Sequence, residues 1–277
     1  GQLQTVNDAA GMRNFSYNAN LSLICESITG IYNKELNYVY TTDGAKGRPL
    51  SMSIGEVQNY NYGYDSYGRL NQIITPAGAF GYARIADSDL VSQLIRPNGI
   101  NTTWNYEPHR NLITEVANGS VSTFGYTNNA IGNRTSMNRS GSAFVAPDAL
   151  NYQYNSRGEV TGVISSVNEA YTYMYTYDSI GNRLTANESG VPYAYISNAL
   201  NQYTQINPEA PTYDADGNML TNGTWNYIWD GENRLIEAVN GNTKLQFSYD
   251  YMGRRVEKKV FDGEILTKYK RFVYNEY

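Results

Sequence analysis

Tyr64-Asp65-Ser66-Tyr67-Gly68-Arg69-Leu70 returns as Tyr177-Asp178-Ser179-Ile180-Gly181-Asn182-Arg183-Leu184. A recurring unit constrains the fold strongly, because every copy must take the same local shape and stack on the next. Further copies are Tyr213-Asp214-Ala215-Asp216-Gly217-Asn218, Tyr249-Asp250-Tyr251-Met252-Gly253-Arg254 and, anchored by tryptophan, Trp229-Asp230-Gly231-Glu232-Asn233-Arg234-Leu235. Looser copies start at Tyr126 and Tyr154, and Tyr17, Tyr40, Tyr82, Tyr106, Tyr195 and Tyr274 are weaker anchors. Thirteen anchors leave 12 intervals between Tyr17 and Tyr274, about 21 residues each, a period typical of repeat arrays.

The segment ahead of the aspartate alternates. Tyr171-Thr172-Tyr173-Met174-Tyr175-Thr176-Tyr177 puts four tyrosines on one face and Thr, Met and Thr on the other, which is the period of a strand. Asp-x-x-Gly then suits a turn in which Asp accepts backbone N–H groups and Gly takes positive φ, so Asp65 and Gly68, Asp178 and Gly181, Asp214 and Gly217, Asp250 and Gly253, and Asp230 are read as turn-defining. Two strands of about seven residues with their connections fill one period without a helix. The fold class expected is all-β: tandem antiparallel hairpins forming one long twisted ribbon that spirals into an open or partial barrel or shell. Loops are expected from Ser136 to Ala149 and from Thr185 to Pro192, where Ser, Gly, Asn and Pro interrupt the pattern. Repeats resume on both sides, so residues 1–277 are read as a single domain.

Tyr-Asp-x-x-Gly-Asn-Arg-Leu, with Asn198-Ala199-Leu200-Asn201-Gln202-Tyr203 and the tryptophan-anchored copy, resembles the RHS/YD-repeat family of bacterial RHS polymorphic toxins, toxin-complex C components and teneurins. The resemblance covers nearly the whole chain and is clearest from Tyr154 to Gly253. It implies a β-ribbon that winds into a shell holding or presenting something, on a secreted or cell-surface protein. The chain departs from the toxins in having no Asp-Pro dipeptide, the element of their autoproteolytic core. It ends inside what reads as another repeat, at Arg271-Phe272-Val273-Tyr274-Asn275-Glu276-Tyr277, and begins without Met, so a fragment of a longer array is expected.

Composition narrows the partners. The 27 tyrosines against 7 Phe and 3 Trp suit half-buried strands, where one end of the ring stays wet. A net charge of −5 argues against a nucleic-acid partner, which calls for a basic field. The lone Cys25 allows no internal disulfide or cysteine zinc site, and no apolar run spans a bilayer. No cofactor is called for. Asp214-Ala215-Asp216-Gly217-Asn218 has its glycine misplaced for a calcium loop, so no metal is expected.

The sharpest local anomaly is Tyr106-Glu107-Pro108-His109-Arg110-Asn111, which replaces Asp-x-x-Gly and holds the sole histidine. His109, Arg110 and Tyr106 are the residue types for proton abstraction beside a uronate carboxylate, against the plainer reading of an exposed turn. Trp225, Tyr227 and Trp229 share a strand face and form either a sugar-stacking row or packing for the sheet. The leading functional reading is a non-enzymatic extracellular or surface scaffold that encloses, displays or adheres to a partner, such as an encapsulated polypeptide or toxin. The alternatives are a carbohydrate-active module acting on a surface glycan, by binding or lyase-type cleavage, and a unit that self-associates through open β edges.

Overall fold

The computed structural model describes residues 1–9, 11–30, 32–42 and 47–274. Nineteen strands, from Thr5–Asp8 to Tyr203–Ile206, form one sheet, and seven, from Thr212–Tyr213 to Ile265–Arg271, form a second. Pairing is antiparallel between sequence neighbours: Ser122–Asn128 with Arg134–Ser140, Arg134–Ser140 with Asp148–Tyr154, and Asp148–Tyr154 with Val160–Ser165. Among the described residues the only helical element is a single turn, Glu169–Tyr171.

A register shift recurs where each anchor meets its turn. It falls between Thr176 and Tyr177, Ile228 and Trp229, and Ser248 and Tyr249, so that the anchor faces the residue six positions later. The extra residue of such a bulge strengthens the local strand twist. Two stretches depart from expectation. Arg134–Ser140 and Arg183–Glu188 are strands, leaving only residues 141–147 and 189–190 as connections there. Their Ser and Asn residues do not favour strands, but Met137 faces Tyr126 and Ala186 faces Tyr175, and cross-strand packing overrides propensity.

The chain forms two compact units, Gly1–Tyr60 with Asn198–Tyr277, and Asn61–Ser197. In the first, Leu36 and Val256 are completely buried, with Phe15, Ile28, Tyr38 and Met52 nearly so. Buried charge lies among them. Arg13 meets Glu26, Asp8 Oδ2 at 3.4 Å and Asp250 Oδ2 at 3.6 Å, while Arg254 holds the same Asp250 oxygen at 2.9 Å. Burial opposes the Arg13 charge, yet Glu26, Asp8 and Asp250 together raise the guanidinium above its ordinary value. Tyr32 donates from its hydroxyl to the carbonyls of Val256, at 3.0 Å, and Phe272. Burial pushes that phenol up to about 12. These contacts join the N-terminal hairpins to the last strands of the chain within one unit.

The second unit is more open, with Thr102, Ser122, Asp148, Leu150, Gly162 and Ala186 as its buried residues. Its tyrosines are half-buried on one register face: Tyr126, Tyr152 and Tyr154, then Tyr173, Tyr175 and Tyr177 opposite Glu188, Ala186 and Arg183. Guanidinium groups lie over rings on this face, Arg134 over Tyr126 at 3.6 Å and Arg183 over Tyr175 at 4.3 Å.

Candidate functional site

The repeated chemistry of the molecule is a lock at the corners headed by Asp or Asn. Asp178 Oδ1 accepts the N–H groups of Ile180 and Asn182, both at 2.9 Å, and Oδ2 accepts Asn182 Nδ2 at 2.8 Å. Asp65, Asp214, Asp230 and Asp250 repeat the pattern, with Arg69, Asn218, Arg234 and Arg254 reaching back to the second oxygen. Asn18, Asn129, Asn155 and Asn198 supply the same two acceptor bonds with a neutral side chain. The fourth residue needs a left-handed backbone: Gly181 has φ 95°, and Asn233 has φ 59° where the chain carries Asn instead.

The anchor tyrosine ties one repeat to the one before. Tyr177 Oη donates to the carbonyl of Val160 at 2.8 Å, and Val160 is the residue that faces Tyr154 across the preceding bulge. Tyr249 reaches Leu235, opposite Trp229, and Tyr274 reaches Arg255, opposite Tyr249, each at 2.7 Å. Trp229 does the same through Nε1 to Met219, at 2.7 Å. Each ring therefore donates to a carbonyl of the residue that faces the previous anchor across its bulge. Arginines link the corners themselves: Arg157 Nη2 donates to the Asp178 carbonyl and Arg110 Nη1 to the Asn129 carbonyl at 2.8 Å.

Asp65, Asp178, Asp214 and Asp230 are held below the usual carboxylate range. For Asp178 and Asp214 the main cause is the Asn side chain at the end of the turn, and for Asp65 it is the Arg69 backbone N–H. Asp230 resists the opposing effect of burial through Arg234. Folded carboxyl groups that release protons more readily than unfolded ones contribute stability above the ordinary value of about 4 and lose it as pH falls further. The fluorescence of Trp104, Trp225 and Trp229 is therefore expected to stay flat from pH 7 to 5 and to change below about pH 4. A transition centred near pH 6 would contradict this.

Tyr106 and Arg110 make contacts like those of the other repeats. Tyr106 Oη donates to Val91, Glu107 stands where Asp otherwise stands, and Arg110 Nε binds Glu107 at 2.6 Å. Asn128 and then Arg110 hold the Glu107 carboxyl below its usual value. His109 is exposed on the turn. Its replacement by alanine is expected to leave the melting temperature unchanged within about 1 °C, since exposed positions away from caps and cores rarely matter to stability. Tyr227 and Trp229 are half-buried on one face of Asn226–Trp229, with half-buried Trp225 just ahead of that strand and the Trp229 indole N–H already bonded. Among the described residues no cluster of His, Cys, Asp or Glu is arranged to hold a metal.

The second unit also holds a site absent from the sequence reading. Arg139 Nη2 donates to Asp148 Oδ2 at 2.9 Å, and the guanidinium lies 4.1 Å from the Tyr171 ring centre and 5.5 Å from that of Phe144. Asp148 is buried and accepts Ser165 Oγ at 2.9 Å. Burial opposes its ionisation, but Ser165 and Arg139 keep its carboxyl below the usual value. Ser165 Oγ in turn accepts the N–H groups of Val167 and Asn168, fixing the start of the helical turn. Arg139 and Asp148 lie nine residues apart and give no motif.

The profile of the teneurin YD-shell family matches residues 145–277. That match, over just under half of the chain, is consistent with the RHS/YD-repeat family. The tRNA nuclease WapA of Bacillus subtilis (strain 168) is 32% identical to this chain over 81 residues, 25% of the chain and 4% of the relative. The crystal structure of TcdB2-TccC3-TEV superposes with a TM-score of 0.75 at 16% identity, covering 94% of this chain and 16% of the other. TcdB2-TccC3 without its hypervariable C-terminal region gives 0.63 at 14%, over 94% and 18%. The chain thus spans a small part of each of these proteins, and the structural likeness is one of fold. Among the described residues no helix is long and apolar enough to cross a membrane.

Proposed function

We propose that this chain is a stretch of wall in a larger, non-enzymatic YD-repeat shell, on a secreted or surface protein, whose tyrosine face lines or presents a polypeptide. The observation that carries the reading is that face: half-buried rings with guanidinium groups over them, repeated strand after strand. Such a surface offers apolar area and N–H donors together, which suits the mixed chemistry of a polypeptide better than any single small ligand. The share of the TcdB2-TccC3 chains that it matches supports a longer array, continuous with residues 1–277. The name of the nuclease relative supports a toxin as the enclosed part.

The test is photo-crosslinking in the protein as its cell makes it. A benzophenone amino acid is placed at Tyr193, on the tyrosine face opposite Ala186, or at the exposed Ile196 on the other face. Polypeptide adducts are expected from position 193 and few from 196. Adducts from 196 alone, or glycan adducts at 193, would overturn the reading.

A further inference from the structure

We propose that the cleft between residues 141–147 and 166–172 is a pocket for an apolar side chain of a polypeptide, with Arg139 donating to the neighbouring main-chain carbonyl. The proposal rests on the polypeptide-lining reading above and names one place where that lining grips.

The cleft is built, and its parts are fixed from below. Gly141 starts a connection whose Ala143 N–H bonds the Val121 carbonyl at 2.9 Å and whose Phe144 N–H bonds the Gly141 carbonyl at 3.1 Å. Phe144 then meets Phe124 edge to face, with ring centres 5.7 Å apart. On the far side, Asn168 Oδ1 caps the helical turn at Ala170, which carries Tyr171. The space between has a volume of about 450 Å³, within the range of ligand pockets, and Arg139, Phe144, Val145, Asp148, Val167 and Tyr171 line it. Its rim is apolar and open: Val145 is fully exposed, and Val167 is 63% exposed.

Three features select the ligand. Arg139 makes one hydrogen bond, to Asp148, and among the described residues no other acceptor is bonded to its guanidinium, so donors remain at the floor of the cleft. Asp148 already neutralises that guanidinium. A second carboxylate would meet the Asp148 charge, whereas an amide carbonyl would not, so a neutral acceptor is preferred. The ring faces of Tyr171 and Phe144 are turned to Arg139, which leaves them poorly placed to stack on a sugar and leaves apolar edges and valine methyls as the contact surface. An apolar side chain beside a peptide carbonyl satisfies all three.

The experiment follows the methyl signals of Val145 and Val167 by NMR in the full chain with ¹³C-methyl valine. The probes are N-acetyl-leucinamide, N-acetyl-leucine and a methyl glucoside. N-acetyl-leucinamide is expected to shift both methyl sets together and to saturate, with N-acetyl-leucine roughly fivefold weaker because of the Asp148 charge. Arg139→Gln with Asp148→Asn keeps the floor neutral and is expected to remove the preference for the amide. Tyr171→Ala, which removes a partly exposed wall, is expected to weaken the amide even if the double variant does not fold. No shift with the amide, a carboxylate that binds as well, or the glucoside shifting the same methyls would each overturn the pocket. Adducts at position 193 without a methyl response sink the pocket alone, and a methyl response without those adducts sinks only the lining reading.

Discussion

Replacing Asp250 by alanine is expected to destabilise the first unit by about 3–5 kcal/mol, the cost of breaking a buried ion pair by removing one partner. Asp250 serves two structures at once. It caps its own turn through Met252 and Arg254, and its second oxygen is completely buried between Arg254 and Arg13. Its loss strips Arg13, itself 3% exposed, of one of three carboxylates and leaves Arg254 without its partner. Asp214 makes the same turn bonds on the surface, so Asp214→Ala is expected to move the urea midpoint far less. Equal shifts for the two variants would contradict the view that the buried cluster joins the N-terminal hairpins to the last strands.

Gly141→Ala is the second large effect. The residue has φ +118°, and a Cβ there would stand 2.5 Å from the Val121 oxygen and 2.8 Å from the Ser122 Cα, both backbone atoms that cannot rotate away. Strain and overpacking together are expected to cost about 3 kcal/mol. Gly190, at φ +88° with nothing within 4 Å of the corresponding position, isolates the strain alone, about 1 kcal/mol. Urea unfolding of both variants measures the difference. A Gly141→Ala midpoint no lower than that of Gly190→Ala would show that the connection shifts freely, and with it one wall of the Arg139 cleft.

What the sequence disclosed follows the range of the interactions. The Asp-x-x-Gly corner is legible because its bonds close within five residues, as at Asp178 to Asn182. The alternation of Tyr173, Tyr175 and Tyr177 discloses their shared face, but not that Tyr177 donates 17 residues back to Val160, since the acceptor is a backbone group with no side-chain signature. Polar strands such as Arg134–Ser140 read as loops because their stabilising partners lie on other strands. The anomaly at His109 is visible, but not that Glu107 there accepts the side chains of Arg110 and Asn128 in place of the turn N–H groups. The Arg13–Glu26–Asp250 cluster joins residues more than two hundred positions apart, and no local pattern announces it.

The central claim is that a carboxylate or amide cap at the corners headed by Asp or Asn, with the next anchor bonded behind it, is what repeats in this fold. Amide hydrogen exchange tests it directly. The N–H groups of Asn182, Arg234 and Arg254, each bonded to the aspartate four residues earlier, are expected to exchange at least about tenfold more slowly than that of Ser179. If all four exchange at the same unprotected rate, the corners are not locked and the account fails.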